Sequence, residues 1–210
     1  LLFAFHLVTG PATNAGEFFT NGVLDVGRVF EGEWWRVITA LTLHADMAHV
    51  AANSAALIAL GIATSQQLGP GLGWALGFAG GIGGNALEAW LAQPGRRSLG
   101  ASTSVFAFLA ILAALRFVSI WQHEGRPRTV WARSWLPLFA ALGALSFLGT
   151  SRGSDVAGHG LGFAAGLVLG LVVGVLPRRR PNDAWQLLLC VVPVAVVAWA
   201  WHLALASAGS

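Results

Sequence analysis

Ser102 stands between a polar loop and an apolar segment, where a serine hydroxyl could act as a nucleophile. Gly100 and Ala101 precede it, and residues 107–117 are almost wholly hydrophobic. A helix that begins at Ser102 would place its free backbone N–H groups and its positive dipole end beside the hydroxyl. Such groups stabilise the oxyanion of acyl transfer. Serine is also an ordinary helix N-cap, and this stretch alone favours the cap interpretation.

A histidine and an asparagine four positions apart, His49 and Asn53, open another apolar segment. This spacing puts both side chains on one helical face, about a turn into the segment. They could donate hydrogen bonds to an oxyanion, or they could simply hydrogen-bond to neighbouring helices. For the pair alone, both interpretations stay open. His44 lies nearer the loop.

His159 lies near the start of a third apolar segment, beside a run of glycines at spacing four. These glycines are Gly158 with Gly162, Gly166 and Gly170 just beyond it. Such a ladder lets a neighbouring helix approach closely, which would press His159 against that helix as a candidate general base. Asp155 could orient the ring in a triad. An aspartate at a helix start is more readily explained as the N-cap.

Together these residues supply the nucleophile, base and oxyanion donors of a serine hydrolase. His44, His49 and His159 could instead ligate zinc. However, no further acid or cysteine falls at a metal-site spacing, and four ligands are usual. We therefore expect neither a metal nor a cofactor.

The composition indicates an all-α, polytopic membrane protein of one domain, residues 1–210. Mean hydropathy is +0.68, and only 10% of the residues are charged. Several apolar runs approach the roughly 20 residues that cross a bilayer. The twelve basic residues are all arginines and lie in loops between apolar runs, which argues against a nucleic-acid partner. The single Cys190 excludes a disulfide framework within the chain.

Apolar runs and their punctuation predict six helices. They cover residues 44–63, 72–92, 102–118, 135–148, 155–176 and 185–206, with a turn at 65–71. Residues 1–8 are interpreted as the end of a truncated first helix. The connection over residues 9–43 mixes aromatic and charged residues, which suits the lipid headgroup region.

The arginine distribution predicts an orientation. Loops after the first, third and fifth of these helices carry seven of the twelve arginines when Arg116 is counted with them. That side is therefore expected to be cytoplasmic, which puts the polar helix starts on the outer side. A transporter or channel would need ionisable residues at mid-membrane on several helices. Apart from Glu88, near the outer end of its helix, the sequence lacks them.

In the order of its motifs, the sequence resembles the rhomboid intramembrane serine proteases. The motifs are Trp35-Arg36, the series His44, His49 and Asn53, Gly100-Ala101-Ser102, and Gly158-His159 with Gly162 and Gly166. Two positions depart from the family pattern. Thr103 replaces the usual glycine after the serine, and Phe106 replaces a tyrosine whose ring packs against the catalytic histidine.

The resemblance implies a six-helix rhomboid core over about residues 33–176, with a seventh helix at about 185–206. It implies a catalytic dyad of Ser102 and His159 without an acid, and an oxyanion hole from His49, Asn53 and the Ser102 N–H. The partners would be transmembrane protein substrates in the lipid bilayer. The expected location is a bacterial cytoplasmic membrane, with the site towards its outer face.

The short predicted helix over residues 135–148 would be the lateral gate of the family, and the loop at 149–154 a movable cover. The alternative function is that of an inactive rhomboid-like protein that binds or escorts transmembrane clients. The sequence indicates no oligomeric state.

Overall fold

The computed structural model describes residues 1–14, 16–123, 128–148, 155–176 and 181–207, which form a helical bundle. These described residues form ten α-helices: α1 (Leu2–Thr9), α2 (Glu17–Gly22), α3 (Val26–Phe30), α4 (Arg36–Thr39), α5 (Met47–Leu68), α6 (Pro70–Leu91), α7 (Ser102–His123), α8 (Arg128–Leu148), α9 (Val156–Val175) and α10 (Asp183–Ala206). Two short strands, β1 (Leu24–Asp25) and β2 (Arg97–Ser98), pair as an antiparallel ribbon. The predicted all-α membrane bundle is confirmed, and the ribbon is an unpredicted addition.

Four helices in the described part of the chain are long and apolar enough to cross a membrane. They are α5, α7, α9 and α10. The chain is therefore an integral, multi-pass membrane protein. The helix α6 is 22 residues long, as are α5 and α7, but it is not among these four.

The predicted boundary between the first two long helices was wrong. We expected a turn over residues 65–71, but α5 continues to Leu68 and α6 begins at Pro70. Gly69 alone makes the turn, with a φ of 88° that favours glycine. Pro70 then fits the first helical position, where no N–H donor is needed. Polar residues before Gly69 mark the end of the apolar run and not the end of the helix.

The helix expected at 135–148 is longer than predicted. It begins at Arg128, and the preceding helix α7 runs to His123, whereas residue 118 was the expected end. Polar and aromatic residues at a membrane interface can remain helical. The short length that suggested a lateral gate is therefore not a property of α8. The predicted loop at 149–154 and the arginine run at 178–180 lie outside the described residues.

The helix α7 lies at the centre of the bundle and packs against α5, α6, α8 and α9. Its closest neighbour is α9, whose glycines face it one turn apart. Gly162 faces Thr103, Gly166 faces Ala107 and Gly170 faces Ile111. A side chain on any of these glycines would meet backbone atoms of α7, so the ladder sets the separation of the two helices.

The connection between α1 and α5 is ordered by buried hydrogen bonds. The fully buried Arg36 donates from Nη1 to the Val23 carbonyl at 2.9 Å and from Nη2 to the Thr20 carbonyl at 3.0 Å. Its Nε donates to Glu33 Oε2 at 2.7 Å. These three bonds engage every nitrogen of the guanidinium group and fix α2 and the residue before β1 against α4.

This connection also holds the segment that leads to Ser102. Leu24 pairs with Ser98 in the ribbon, the Val26 N–H donates to the Arg96 carbonyl at 3.1 Å, and the Gly100 N–H donates to the Ala40 carbonyl at 2.9 Å. The start of α7 is thereby tied to a distant part of the chain.

The helix α10 is fixed near both of its ends. Gln186 donates to the Leu68 carbonyl at 3.0 Å and accepts from the Leu72 N–H at 3.1 Å, which bridges the α5–α6 turn. Trp201 Nε1 donates to Thr42 Oγ1 at 3.0 Å. This helix, predicted as the seventh, is therefore joined to the bundle by specific polar contacts as well as by apolar packing.

Two neighbouring glycines of α9 test the role of the ladder. A Cβ at position 162 would lie 2.8 Å from Thr103 Cγ2 and closer still to the Thr103 carbonyl oxygen, whereas one at position 160 would have nothing within 4 Å. We expect Gly162→Ala to destabilise the protein by about 1–3 kcal/mol through overpacking. Gly160→Ala should be neutral or stabilising by up to about 1 kcal/mol. Thermal unfolding in detergent measures both, and equal midpoints would contradict the assigned packing.

Candidate active site

The site begins with a contact between the starts of two helices. Ser102 is the first residue of α7, and His159 lies in the first turn of α9. Ser102 Oγ lies 2.8 Å from His159 Nε2, within hydrogen-bond distance. His159 is buried, with 6% of its surface exposed. This geometry allows the imidazole to accept the serine proton.

Gly100 provides both the turn and the space before the serine. Its φ of 123° is unfavourable for residues with a side chain. A Cβ at this position would lie 2.8 Å from His49 Cε1 and 3.0 Å from His49 Nε2. The glycine therefore lets the His49 ring lie directly against the turn that carries Ser102.

His49 and Asn53 both face this turn from α5 and line the same cavity as Ser102. The Ala45 N–H donates to His49 Nδ1 at 3.4 Å, so in the neutral ring Nε2 carries the proton and points towards Gly100. Asn53 is buried, and its Nδ2 has no hydrogen-bond partner among the described residues. Unsatisfied buried donors are rare in proteins, so this amide could bind an acceptor that develops during a reaction.

The two departures from the family pattern are accommodated by packing. Thr103 is buried, and its methyl group fills space left by glycines, since a Cβ at Gly84 would lie 2.5 Å and one at Gly162 2.8 Å from it. The Phe106 ring lies 4.7 Å from the His159 ring, centroid to centroid. The phenylalanine therefore holds the imidazole from one side without a hydroxyl group.

Asp155 acts as the N-cap of α9, as predicted. Its Oδ1 accepts from the Gly158 N–H at 2.9 Å, and the same oxygen pairs with Arg96 Nη2. The carboxylate is therefore bound by a backbone N–H of its own helix and by an arginine of a neighbouring loop. They support the cap interpretation over the triad.

His44 has a positional role that sequence reasoning missed. It is fully buried, and its Nε2 accepts from the Ala101 N–H at 3.4 Å, one residue before Ser102. Burial, and secondarily the neighbouring His49, lowers the pKa of His44 to about 4. The ring is therefore neutral at physiological pH, as an acceptor must be. The sequence signal for this role was the position of His44, five residues before His49.

Ser102, His159, His49 and Asn53 border one cavity of about 1230 Å³. Its lining also includes small apolar side chains of α5, side chains of α7 and Ala144 of α8. Among the described residues, no cluster of three or more His, Cys, Asp or Glu side chains could hold a metal ion. The four predicted site residues are thus brought together.

Comparison with known proteins identifies the family of the chain. A family profile described as the rhomboid domain matches residues 31–175. The chain belongs to the rhomboid family. It is 31% identical over 175 residues to rhomboid protease GluP of Bacillus subtilis (strain 168), covering 81% of this chain and 33% of GluP.

Two further relatives come from eukaryotes. RHOMBOID-like protein 1 of Arabidopsis thaliana is 32% identical over 165 residues, which is 75% of this chain and 39% of that protein. Rhomboid-like protease 2 of Toxoplasma gondii is 27% identical over 191 residues, 89% of this chain and 66% of that protein. The chain spans less than half the length of GluP and of the Arabidopsis protein.

The neutral state of His44 predicts a pH dependence of stability. The folded protein keeps His44 neutral down to pH about 4, whereas a free histidine protonates at about 6.5. The contribution of His44 to the free energy of unfolding is therefore complete above pH about 6.5 and is lost as the pH falls towards 4. We expect His44→Gln, which keeps a hydrogen-bond acceptor, to reduce the loss of the unfolding midpoint between pH 7 and 4.5. Parallel pH curves for the two proteins would contradict this assignment.

Proposed function

We propose that this protein is an intramembrane serine endopeptidase that uses a Ser102–His159 dyad to cleave transmembrane segments of other proteins. The 2.8 Å contact between Ser102 Oγ and His159 Nε2 carries the proposal. Membership of a family that acts on transmembrane substrates in the bilayer supports it. So does the cavity, which joins this polar pair to an apolar cleft.

Acylation follows from the roles of these two side chains. Ser102 Oγ attacks the carbonyl carbon of a substrate peptide bond while His159 Nε2 takes the hydroxyl proton. The tetrahedral intermediate then collapses, the C–N bond breaks, and His159 returns the proton to the leaving amine. Water next attacks the acyl ester, giving its proton to His159, and Ser102 is released as the alcohol.

The developing negative charge would be bound by three donors. These are His49 Nε2–H, the unpaired Asn53 amide and the backbone N–H of Ser102 at the positive end of α7. Donors of this kind typically contribute about 2.7–4 kcal/mol each to transition-state stabilisation. Their fixed positions on two helices mean that little reorganisation is needed when the charge forms.

The substrate would approach through the apolar end of the cavity, between α5 and α8. The α5 side is formed by small residues, among them Ala52, Ala56 and Ala59, and small residues let helices pack closely in a membrane. A helical peptide bond is shielded by its own hydrogen bonds. Cleavage should therefore favour segments with glycine or other helix-weakening residues. Following the arginine distribution, we propose that the site lies towards the outer face of the membrane. We propose a bacterial cytoplasmic membrane because arginine without lysine and abundant alanine and glycine are typical of GC-rich bacteria.

The nucleophile and base are tested by single substitutions. Ser102→Ala and His159→Ala should each abolish cleavage of a model transmembrane substrate. Ser102→Ala should also abolish labelling by a fluorophosphonate probe. Both variants should remain folded in detergent, as judged by thermal unfolding. Undiminished cleavage by Ser102→Ala would overturn the proposal, and a wild-type protein that binds transmembrane helices without cleaving them would indicate the client-binding function instead.

The oxyanion donors are tested by the balance of kcat and KM. His49→Ala and Asn53→Ala should each lower kcat by about 10²–10³-fold, because their hydrogen bonds form in the transition state. KM should change little in comparison. A rise in KM with unchanged kcat would assign these residues to substrate binding.

The cap role of Asp155 predicts a mild effect of a conservative change. Asp155→Asn keeps an oxygen that can accept from the Gly158 N–H, so most of the cleavage activity should remain. Steady-state cleavage of the same substrate measures this. A loss as complete as that of Ser102→Ala would restore the triad.

A further inference from the structure

Glu88 is a buried acid that the proposed reaction does not use. It lies near the end of α6, with 1% of its surface exposed, and a buried charge is costly unless it is paired and hydrogen-bonded. Its Oε1 accepts from Arg96 Nε at 3.0 Å, and its Oε2 accepts from Ser98 Oγ at 2.8 Å. Both partners belong to the segment that leads to Ser102.

A second nitrogen of the Arg96 side chain contacts the helix that carries His159. Arg96 Nη2 pairs with Asp155 Oδ1, the oxygen that caps the Gly158 N–H. Gly158 itself lies close to Glu88, since a Cβ there would be 3.1 Å from Glu88 Oε2. Glu88, Arg96 and Asp155 therefore form one charged series from the end of α6 to the first turn of α9.

The backbone of Arg96 is part of the segment that leads to Ser102, whereas its side chain contacts the helix of His159. Its carbonyl accepts from the Val26 N–H at 3.1 Å, next to the ribbon that leads to Gly100 and Ser102. The His159 N–H, in turn, donates to the Asp155 carbonyl at 3.0 Å. One residue thus connects the approach to the serine with the turn that holds the histidine.

We infer that Arg96, anchored by the buried Glu88, is a positioning residue that sets the first turn of α9, and with it His159, relative to Ser102. This inference rests on the proposed function. In a dyad that depends on one 2.8 Å contact, a displacement of about 1 Å can lower the rate about 10²-fold. The charged series takes over part of the orienting task that a triad assigns to its acid.

Both acids need the arginine between them. Glu88 and Asp155 carry the same charge and approach the same turn of α9, so removal of Arg96 leaves two carboxylates without their shared counter-ion. Repulsion would push Asp155 away from the buried Glu88, and Asp155 caps α9. The expected consequence is local, at the start of α9, and distinct from unfolding of the bundle.

The neighbouring arginine offers a matched control. Arg97 has 58% of its side chain exposed and pairs with Asp25 across the ribbon at 3.3 Å, on the same loop as Arg96. Arg96→Gln and Arg97→Gln remove the same charge one residue apart. The first should lower kcat by about ten-fold or more with KM within about two-fold of wild type, and the second should leave kcat unchanged.

Hydrogen exchange separates positioning from general stability without requiring activity. In a Ser102→Ala background, Arg96→Gln should speed exchange of the amides at residues 158–160 while the centre of α7 stays protected. Equal kcat values for the two arginine variants, or faster exchange along the whole bundle in proportion to the lost kcat, would overturn the inference. An inactive wild-type protein would overturn the proposed function instead, because the exchange experiment would still report on the anchor.

Arg96→Gln leaves Glu88 buried without a counter-ion and could prevent folding. The double variant Glu88→Gln with Arg96→Gln removes both charges, so no buried carboxylate is left unpaired. It should fold and retain substrate binding. It also lacks the ion pair between Arg96 and Asp155, so it should still show faster exchange at residues 158–160 and a lowered kcat, although the repulsion between the two carboxylates is gone. Wild-type kcat in this folded variant would overturn the role of the series.

Discussion

The separation of α7 and α9 is the constraint on which the site depends. Gly162, Gly166 and Gly170 bring the two backbones close enough that a single methyl group would collide. Close contact along three turns leaves the helices little freedom to slide or rotate, because packed interiors resist deformation. Ser102 and His159 lie together at one end of this interface, so their 2.8 Å contact is a product of helix packing.

Around this interface, several contacts hold the turn before Ser102 and the ring of His159 in place. His44 accepts from the Ala101 N–H, and Gly100 donates to the Ala40 carbonyl. Phe106 covers the imidazole and belongs to the same hydrophobic cluster as Ala141 of α8.

The helix starts that carry Ser102 and His159 were the most predictable part of the molecule. A polar residue before an apolar run has a direct physical meaning, so the starts at Ser102 and after Asp155 followed from the sequence. Helix ends were less predictable, since α5 and α7 continue into polar residues that remain helical at the interface. The contacts of Arg96 and Gln186 were not predictable, because each joins residues far apart in the chain and no local pattern encodes such a partner.

The helix α10 lies outside the region matched by the family profile, yet Gln186 and Trp201 bind it to the bundle near its two ends. It packs along α6, on a different flank of the bundle from the approach between α5 and α8 that we propose for the substrate. A transmembrane substrate that diffuses in a bilayer would arrive from every direction. With one flank permanently occupied by α10, the proposed protease would select its substrates first by their direction of approach.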